Sequence, residues 1–472
     1  MQQLATSSER PSAGETLRQA GLPEDIVASW LRAPPSASAD FEGDSKIFSR
    51  FWKTGADLLA ALPKKPARDE KEKRAAELIF ALGREARDRF LIRHAEELYR
   101  ALTRNYAHFV RVERLVYDAA ALVPGLVPTA AEVAVEAEHP QKDKDGIEVD
   151  QGIFLSRVLE HPRAGMHLCH AMLLPRPESL ARLPQFLARG SIEMKTATVE
   201  RRGKASFVTL RHPRFLNAED EETIDEMETA IDLATLDIET SVAVFRGDFV
   251  EHPKYKGRRI FCSGINLTHL YHGKIGYLWY IRRDMGPVNK IFRGIGNTVL
   301  APDDISGPNA EKPWIAAVDT FAIGGGCQYL LTMDYVLAAS DAYMTLPARK
   351  EGIIPGAANL RLPRFVGDRI ARQAIMYGRR LDCDSPEGRM ICDEVVPPAE
   401  MDAALDRVIE GLTSSGVVSA ASNRRAFRVG QEPLDLFRRY MAVYAREQAH
   451  CHFSPALIAN LEKHWNAQNR KA

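Results

Sequence analysis

Nowhere does the sequence hold an apolar run of about 18 residues, the length a helix needs to cross a bilayer. The opening MQQLATSSER has no apolar core of the kind that marks a secretory signal. Charge of one sign is not in excess either: Lys plus Arg and Asp plus Glu both total 63 in 472 residues. That balance leaves no electrostatic footprint for nucleic acid or for an anionic membrane. Cysteine is sparse, with Cys169, Cys262, Cys327, Cys383, Cys392 and Cys451 scattered and no CxxC pair among them. In a chain of this size they read as buried thiols rather than a disulfide framework. Together these absences point to a cytoplasmic globular protein, and the length to two or three domains.

Metal chemistry has little to stand on. His450-Cys451-His452 places three ligand types in a row, but adjacent side chains on a helix or strand point in different directions and do not converge on one ion. His161, His167 and His170 lack a carboxylate or thiol pattern that would complete a site. The expectation is no metal.

What is present divides the chain. Residues 1–45 are rich in Ser, Ala and Pro and predict a short helix with loose segments. From about 68 to 123 the pattern is helical, with Phe90, Leu98 and Leu102 near helical spacing, and Pro124 and Pro128 break it. The polar stretch EHPQKDKDGIEVDQG near 138–152 predicts a loop, and two further helical stretches run to about 188. At 193 the character changes. MKTATVERRGKASFVTL alternates about Arg202-Gly203, which predicts a hairpin. TIDEMETAIDLAT carries one apolar stripe, Ile224, Met227, Ile231 and Ala234. The short runs SVAVFRG, PWIAAVD and YVLAAS read as buried strands separated by helices, the mark of an α/β fold. A helix is expected around DRIARQAIMYG, and the tail beyond about 400 is helical, as in FRRYMAVYAREQAH. The expected division is a helical region over 1–190, an α/β core over 191–400 and a helical region over 401–472.

Three segments carry chemistry. Ile323-Gly324-Gly325-Gly326-Cys327-Gln328-Tyr329-Leu330 follows a buried strand and opens a helix. There the glycines permit close approach, and the unpaired N–H groups and the helix dipole favour an anion or oxyanion. Phe261-Cys262-Ser263-Gly264-Ile265-Asn266-Leu267, about 60 residues upstream, reads as a strand end turning through Gly264, whose free N–H groups could supply a second donor. Gly352-Ile353-Ile354-Pro355-Gly356-Ala357, followed by Leu360-Arg361-Leu362-Pro363-Arg364, is the third. In order and spacing the three resemble the crotonase (enoyl-CoA hydratase) superfamily, whose segments read FxAGxDL, GGGxEL and GxxPGxGxxxRLxR. The resemblance covers about 193 to 400. It implies a crotonase-like ββα spiral core with an all-helical N-terminal region and C-terminal helices, assembled as a trimer or hexamer. It further implies that the backbone N–H groups of Ile265 and Gly325 grip a thioester carbonyl oxygen. Arg214, Leu216 and their neighbours would line the coenzyme A channel. Ser263, Gly264, Asn266 and Leu267 would meet the adenine end, and Gly326, Pro355 and Gly356 would border the substrate.

The departures are informative. Hydratases of the superfamily use two glutamates to handle water; here the matching positions are Gln328 and Ala348. A neutral amide cannot serve as a carboxylate base and alanine has no proton to exchange, so two-carboxylate hydration is excluded. The usually apolar position after Asn217-Ala218 is Glu219. These changes and the text NLRLPRFVGDRIARQAIMYGRRL resemble one dioxygenase branch of the superfamily across nearly the whole chain. That branch implies an arylacetyl-CoA thioester and O2 as substrates, an arylglyoxylate and free CoA as products, and neither metal nor flavin as cofactor. Glu219 would bind a ring hydroxyl, Arg283 would sit at the thioester and Gln328 would orient the intermediate or oxygen. Each has a plainer reading: an acid at a helix start for Glu219, a solvated charged run for Arg283 (with Arg282 as the alternative match), and a helix cap for Gln328. Glu351 is a further possible base on a loop before Gly352. A thioesterase or isomerase of the same fold, and an inactive scaffold, remain the alternatives.

Overall fold

Strand formation begins where the helical pattern stops, at Gly190, whose φ of 74° closes the helix Pro177–Arg189. The computed structural model describes residues 12–32, 34–250, 252–299, 309–414 and 417–471. Three strands follow, β1 (Ser191–Glu193), β2 (Ala197–Arg202) and β3 (Ala205–Leu210). β2 and β3 form the expected hairpin, antiparallel with Arg202 opposite Ala205, and Gly203 turns it at φ 56°. The apolar runs then become β4 (Val242–Gly247), β5 (Trp314–Val318), β6 (Phe321–Ile323) and β7 (Tyr335–Ala339). β8 (Tyr343–Thr345), β9 (Leu381–Asp382) and β10 (Glu394–Val396) complete the strands among the described residues. One sheet has the order β1-β2-β3-β4-β5-β7-β10 and is parallel from β3 onward. A smaller sheet runs β6-β8-β9. Every residue of β5 is buried, as a strand covered on both faces requires. This α/β core, with helices before and after it, is the fold class the resemblance implies.

The helical stripe at 224–234 is the helix Ile224–Leu236, packed on the large sheet. DRIARQAIMYG closes the helix Ala358–Tyr377, which is kinked at Gly367, where φ is 73°. FRRYMAVYAREQAH lies in the helix Leu434–His452. In the N-terminal region the described residues hold Ala13–Gln19, Glu24–Arg32 and Phe41–Ala60, then the long helix Glu70–Leu102 and Val112–Leu122. Of the stretch 1–45, where a short helix and loose segments are expected, residues 1–11 lie outside the described residues.

The loop expected over 138–152 is only partly one. Gln141–Asp143 is a short 3-10 turn, and a helix, Val149–Glu160, begins inside the stretch. Several of its polar residues mislead because they are buried and hydrogen-bonded. Glu136 accepts the N–H groups of Asp145 and Gly146 at 2.6 and 3.0 Å. Lys144 donates to Gly273 O at 2.7 Å, and Glu148 accepts from Tyr277 N at 2.7 Å.

These contacts join the N-terminal helices to the segment that bears Arg283. A single apolar cluster contains Phe90, Phe154 and Leu168 from the N-terminal helices, Tyr277, Trp279 and Ile281, and Phe437, Met441 and Tyr444 from the C-terminal helix. Within it Val149–Glu160 crosses Leu434–His452 closely at Gly152, where a Cβ would stand 2.5 Å from Ala449 Cβ and 2.8 Å from Ala445 O. Tyr277 Oη donates to the same Ala445 O at 2.7 Å. A second anchor is Glu432, fully buried, which accepts from Arg361 at 2.8 and 2.9 Å and from Arg364 at 2.6 Å, with Arg293 at 3.2 Å.

Gly152→Leu would force the two helices apart, and a loss of about 1–3 kcal/mol is expected from overpacking, read by urea unfolding. For Glu432, burial alone would raise the pKa, but the charges of Arg361, Arg293 and Arg364 hold it down at about 2. A depressed carboxyl stabilises the fold above its unfolded pKa and loses that contribution as pH falls toward the folded value. Glu432→Gln should therefore cost about 3–5 kcal/mol at neutral pH, as breaking a buried pair does. The gap between variant and parent should narrow as pH drops below about 4.5 in a thermal-melt series.

Candidate functional site

Three stretches of backbone run side by side at the edge of the small sheet. Glu219 and Ile265 form an isolated parallel bridge, with Glu219 N donating to Gly264 O at 2.8 Å and Asn266 N to Glu219 O at 2.7 Å. Cys262 bridges Ala322 of β6, and Ile323 N donates to Cys262 O at 3.0 Å. The result sets Gly264 against the start of the helix Gly325–Leu330. A Cβ on Gly264 would lie 2.8 Å from Ile323 O and 3.3 Å from Gly325 N. Gly264 and Gly324 sit at φ 83° and 52°, a region that side chains rarely tolerate. This turn geometry leaves two donors over. Neither Ile265 N nor Gly325 N meets an acceptor among the described residues, and Gly325 is the first residue of its helix, where such orphan groups arise.

Below these donors lies a buried ion pair. Arg283, 3% exposed, donates Nε to Glu219 Oε1 at 2.9 Å and Nη2 to Glu219 Oε2 at 2.8 Å. Nη2 also reaches Gly325 O at 2.9 Å, and Nη1 donates to Gln328 Oε1 at 2.7 Å. Tyr329 Oη donates to Glu219 Oε1 at 2.9 Å, and the Arg283 guanidinium lies 4.7 Å from the Tyr329 ring centre. Burial opposes the charge on Arg283, but Glu219, with Tyr329 and Asp284, outweighs it, so the guanidinium stays charged. The Tyr329 phenol and the Cys262 thiol are pushed up by burial first and by Glu219 second, so both stay protonated. Gly325 must be glycine here, since a Cβ would stand 2.3 Å from Glu219 Oε2. Gly356 is held to the same limit by Gln328 Oε1 at 2.3 Å.

A small cavity, of about 30 Å³, opens beside this network. Ile265, Gly325, Gln328, Arg283, Pro355 and Gly356 all line it, so the structure gathers six of the sequence-derived site residues in one place. Glu219 stands behind Arg283. Arg283, rather than Arg282, faces the cavity; Arg282 turns outward to Asp225 and Glu221 at 2.5 and 3.3 Å. Gln328 is bonded to Arg283 and is not a helix cap, and Glu219 sits on the bridge to Ile265, ahead of the helix that begins at Ile224.

Other expected residues lie away from the cavity lining. Gly326 is a packing position, where a Cβ would meet Cys262 O at 2.5 Å. Ser263 Oγ donates to Phe215 O at 3.2 Å. The Asn266 side chain caps the helix Leu267–Tyr271 and donates to Asp220 at 2.9 Å, which leaves Leu267 as that helix's first residue. Leu216 has φ 55°, beside Asn217, whose amide group binds Asp248 O and Ile260 O at 2.9 and 2.8 Å. Arg214 is exposed, over the Phe215 ring at 4.9 Å.

Of the rest of the lining, Glu351, Ile353 and Ile354 belong to segments already singled out, and the others were not foreseen. Trp279, Tyr280, Leu346, Ile353 and Ile354 make it largely apolar, and Tyr444 enters from the chain's own C-terminal helix. Asp284 and Glu351 add carboxyl groups. Glu351 ends the short helix Ala348–Glu351 and is 5% exposed, so the expectation of a loop position was wrong. Gly352, at φ 84°, closes that turn and tucks the side chain inward.

The histidines have structural partners. His452 is buried with Nδ1 3.3 Å from Tyr280 Oη, and burial lowers its pKa to about 3. His167 pairs with Tyr99 Oη at 2.8 Å, His170 with Asn297 O at 2.7 Å and His161 with Glu96 at 3.0 Å. Among the described residues no three His, Cys, Asp or Glu side chains are grouped to hold a metal ion. Nor is any helix among them long and apolar enough to cross a membrane.

Residues 307–451 match the enoyl-CoA hydratase/isomerase family. The (3,5-dihydroxyphenyl)acetyl-CoA 1,2-dioxygenase of Amycolatopsis orientalis is 46% identical over 394 residues, which span 83% of this chain and 89% of that one. A short-chain-enoyl-CoA hydratase of Clostridium acetobutylicum is 26% identical over 51% of this chain and 84% of its own. A crystal structure of an enoyl-CoA hydratase from Mycobacterium avium subsp. paratuberculosis K-10 aligns over 57% of this chain and 98% of that one, at 22% identity and a TM-score of 0.47. By the extent of its similarity to the Amycolatopsis enzyme, together with the family match, the chain belongs to the enoyl-CoA hydratase/isomerase, or crotonase, family.

Proposed function

We propose that this protein is a dioxygenase that converts 3,5-dihydroxyphenylacetyl-CoA and O2 to 3,5-dihydroxyphenylglyoxylate and CoA, with neither metal nor flavin. The observation that carries the reading is the pair of unengaged N–H groups at Ile265 and Gly325, set beside Arg283, Glu219 and Gln328, with Gln328 and Ala348 where hydratases carry their two carboxylates. The extended similarity to the Amycolatopsis dioxygenase supports the choice of substrate.

The chemistry follows from where charge develops. Loss of an α-proton moves an electron pair into the thioester C=O, and the oxygen becomes an oxyanion. Donors preorganised at Ile265 and Gly325 stabilise it most when that charge is complete, and each such donor is worth about 2.7–4 kcal/mol in the barrier. Arg283 adds a fixed positive charge within the same network. The enolate, conjugated with a dihydroxylated ring, is electron-rich enough to reduce O2 and form the Cα–O bond. The peroxide so made attacks the thioester carbon and expels the CoA thiolate. Loss of the second α-hydrogen with O–O cleavage then leaves the ketoacid, one proton going to the thiolate. Apolar walls at Trp279, Leu346, Ile353 and Ile354 exclude water from the intermediate. Glu219, held by Arg283 and Tyr329 behind the cavity wall, fixes the guanidinium that faces the thioester in this reading. In this reading the protein works in the cytoplasm as a trimer or hexamer.

The test is oxygen uptake by chelator-treated protein given 3,5-dihydroxyphenylacetyl-CoA, with CoA release followed in parallel. Equal amounts of O2 consumed and CoA released, with an arylglyoxylate identified by mass, are expected. CoA release that continues without O2 would instead make the protein a thioesterase of this fold, and no turnover would favour a scaffold. Gly325→Ala places a methyl group against Glu219 and Arg283 and disturbs a donor at the same time. Its kcat should fall by about 10²–10³, the cost of one oxyanion donor.

A further inference from the structure

We propose that Glu351 is the base that removes the α-proton of the thioester, an assignment that rests on the dioxygenase reading above. Three carboxyl groups stand at the site, and two are already committed. Glu219 is held by two bonds from Arg283 and one from Tyr329. Asp284 is faced by Arg283 and by the Tyr444 hydroxyl. Glu351 lines the same cavity, is 5% exposed, and its side chain makes no hydrogen bond or ion pair among the described residues. Its Oε1 lies 4.0 Å from where a Cβ on Gly324 would stand, so the carboxyl faces the turn that presents the Gly325 donor. An oxygen gripped by that donor would hold its α-carbon on the cavity side, within the space this carboxylate borders. Ala348 and Glu351 are also one turn apart on a single helical face, so the sequence keeps an acid at this wall after losing it at 348.

The surroundings suit the task. Burial alone pushes the Glu351 carboxyl up to about 7, which leaves it substantially ionised near neutral pH and basic enough to take a proton. No nearby cation holds it down. Tyr280 faces it from one side, with its own pKa raised by burial first and by Glu351 second. Arg349 and Lys350 on its own helix are exposed. On the two helices packed against that helix, Arg361 and Arg364 are taken up by Glu432 and Glu462 by Tyr271, while Arg369, Arg372, Asp368, Lys463 and His464 are exposed. The step balances simply: the Cα–H bond breaks, its electron pair enters the thioester enolate, and the proton rests on a Glu351 oxygen.

The experiment pairs two readouts on the parent, Glu351→Gln and Glu351→Asp. The first is exchange of the α-hydrogens of 3,5-dihydroxyphenylacetyl-CoA with D2O under argon, followed by mass; the second is oxygen uptake against pH. Circular dichroism and thioester binding show that each variant folds and binds. Glu351→Gln should lose both exchange and uptake by about 10²–10⁴, the usual share of a general base. Glu351→Asp should recover part of each and shift the acid limb of the kcat/KM profile, which a merely structural residue would not do. Exchange in Glu351→Gln at the parent rate would overturn the assignment and leave the dioxygenase reading intact. Parent exchange without oxygen uptake, abolished in Glu351→Gln, would keep the base and overturn the dioxygenase. A parent that neither exchanges nor consumes oxygen would overturn both.

Discussion

The site depends on a buried cation. Arg283 is buried with Glu219, and an ion pair taken out of water is stable only if nearly every donor finds a partner. Here the guanidinium meets Glu219 twice, Gly325 O and Gln328, and Tyr329 completes the carboxylate's shell. This requirement reaches outward. It demands glycine at 325 and 356, because a methyl group would occupy the space of charged or polar atoms. It makes Gln328 suitable where a second carboxylate would put more negative charge beside Glu219. It also requires that the helix Tyr277–Arg283 be held in place, which Glu148 does at its start and the C-terminal helix does through Tyr277.

Much of this was legible in the residue order. The strands at 242–247, 314–318 and 335–339 and the hairpin at Gly203 were readable because apolar runs and a glycine turn are local signals. The glycine segments at 264 and 324–326 were readable for the same reason, being places where backbone chemistry must show itself as missing side chains. The polar stretch at 138–152 was misread because its charged groups are hydrogen-bonded by backbone groups as far away as Gly273 and Tyr277, which no local pattern contains. Arg283 could not be separated from Arg282 by composition. What distinguishes them is the direction each leaves the helix, one toward Glu219 and the other toward Asp225. Glu351 was undervalued because a charged residue between lysine and glycine suggests an exposed loop, while the left-handed Gly352 turns it into the cavity. Tyr444 carried no signal at all, since its place at the site is created by a helix crossing more than a hundred residues downstream of Gln328.

The helices on either side of the sheets are therefore part of the site's construction. One apolar cluster takes in the N-terminal helices, the turn that bears Arg283 and the C-terminal helix, so the wall of the cavity and its remote supports share a single core. Gly152 lets the two supporting helices approach closely, and the Tyr440 hydroxyl donates to Gly356 O from the same C-terminal helix.

The shared core bears on how the chain can be divided. Residues 307–451 contain Gly325, Gln328, Glu351 and Tyr444, yet Glu219, Ile265 and Arg283 all precede them. The cavity and the buried cation beside it are thus not a module that can be excised with the segment that matches the family. A shortened chain that kept the glycine helix would keep one donor of the two and none of the buried cation. Grafting this cavity onto a smaller relative would mean importing the helical shell along with the handful of residues that line it.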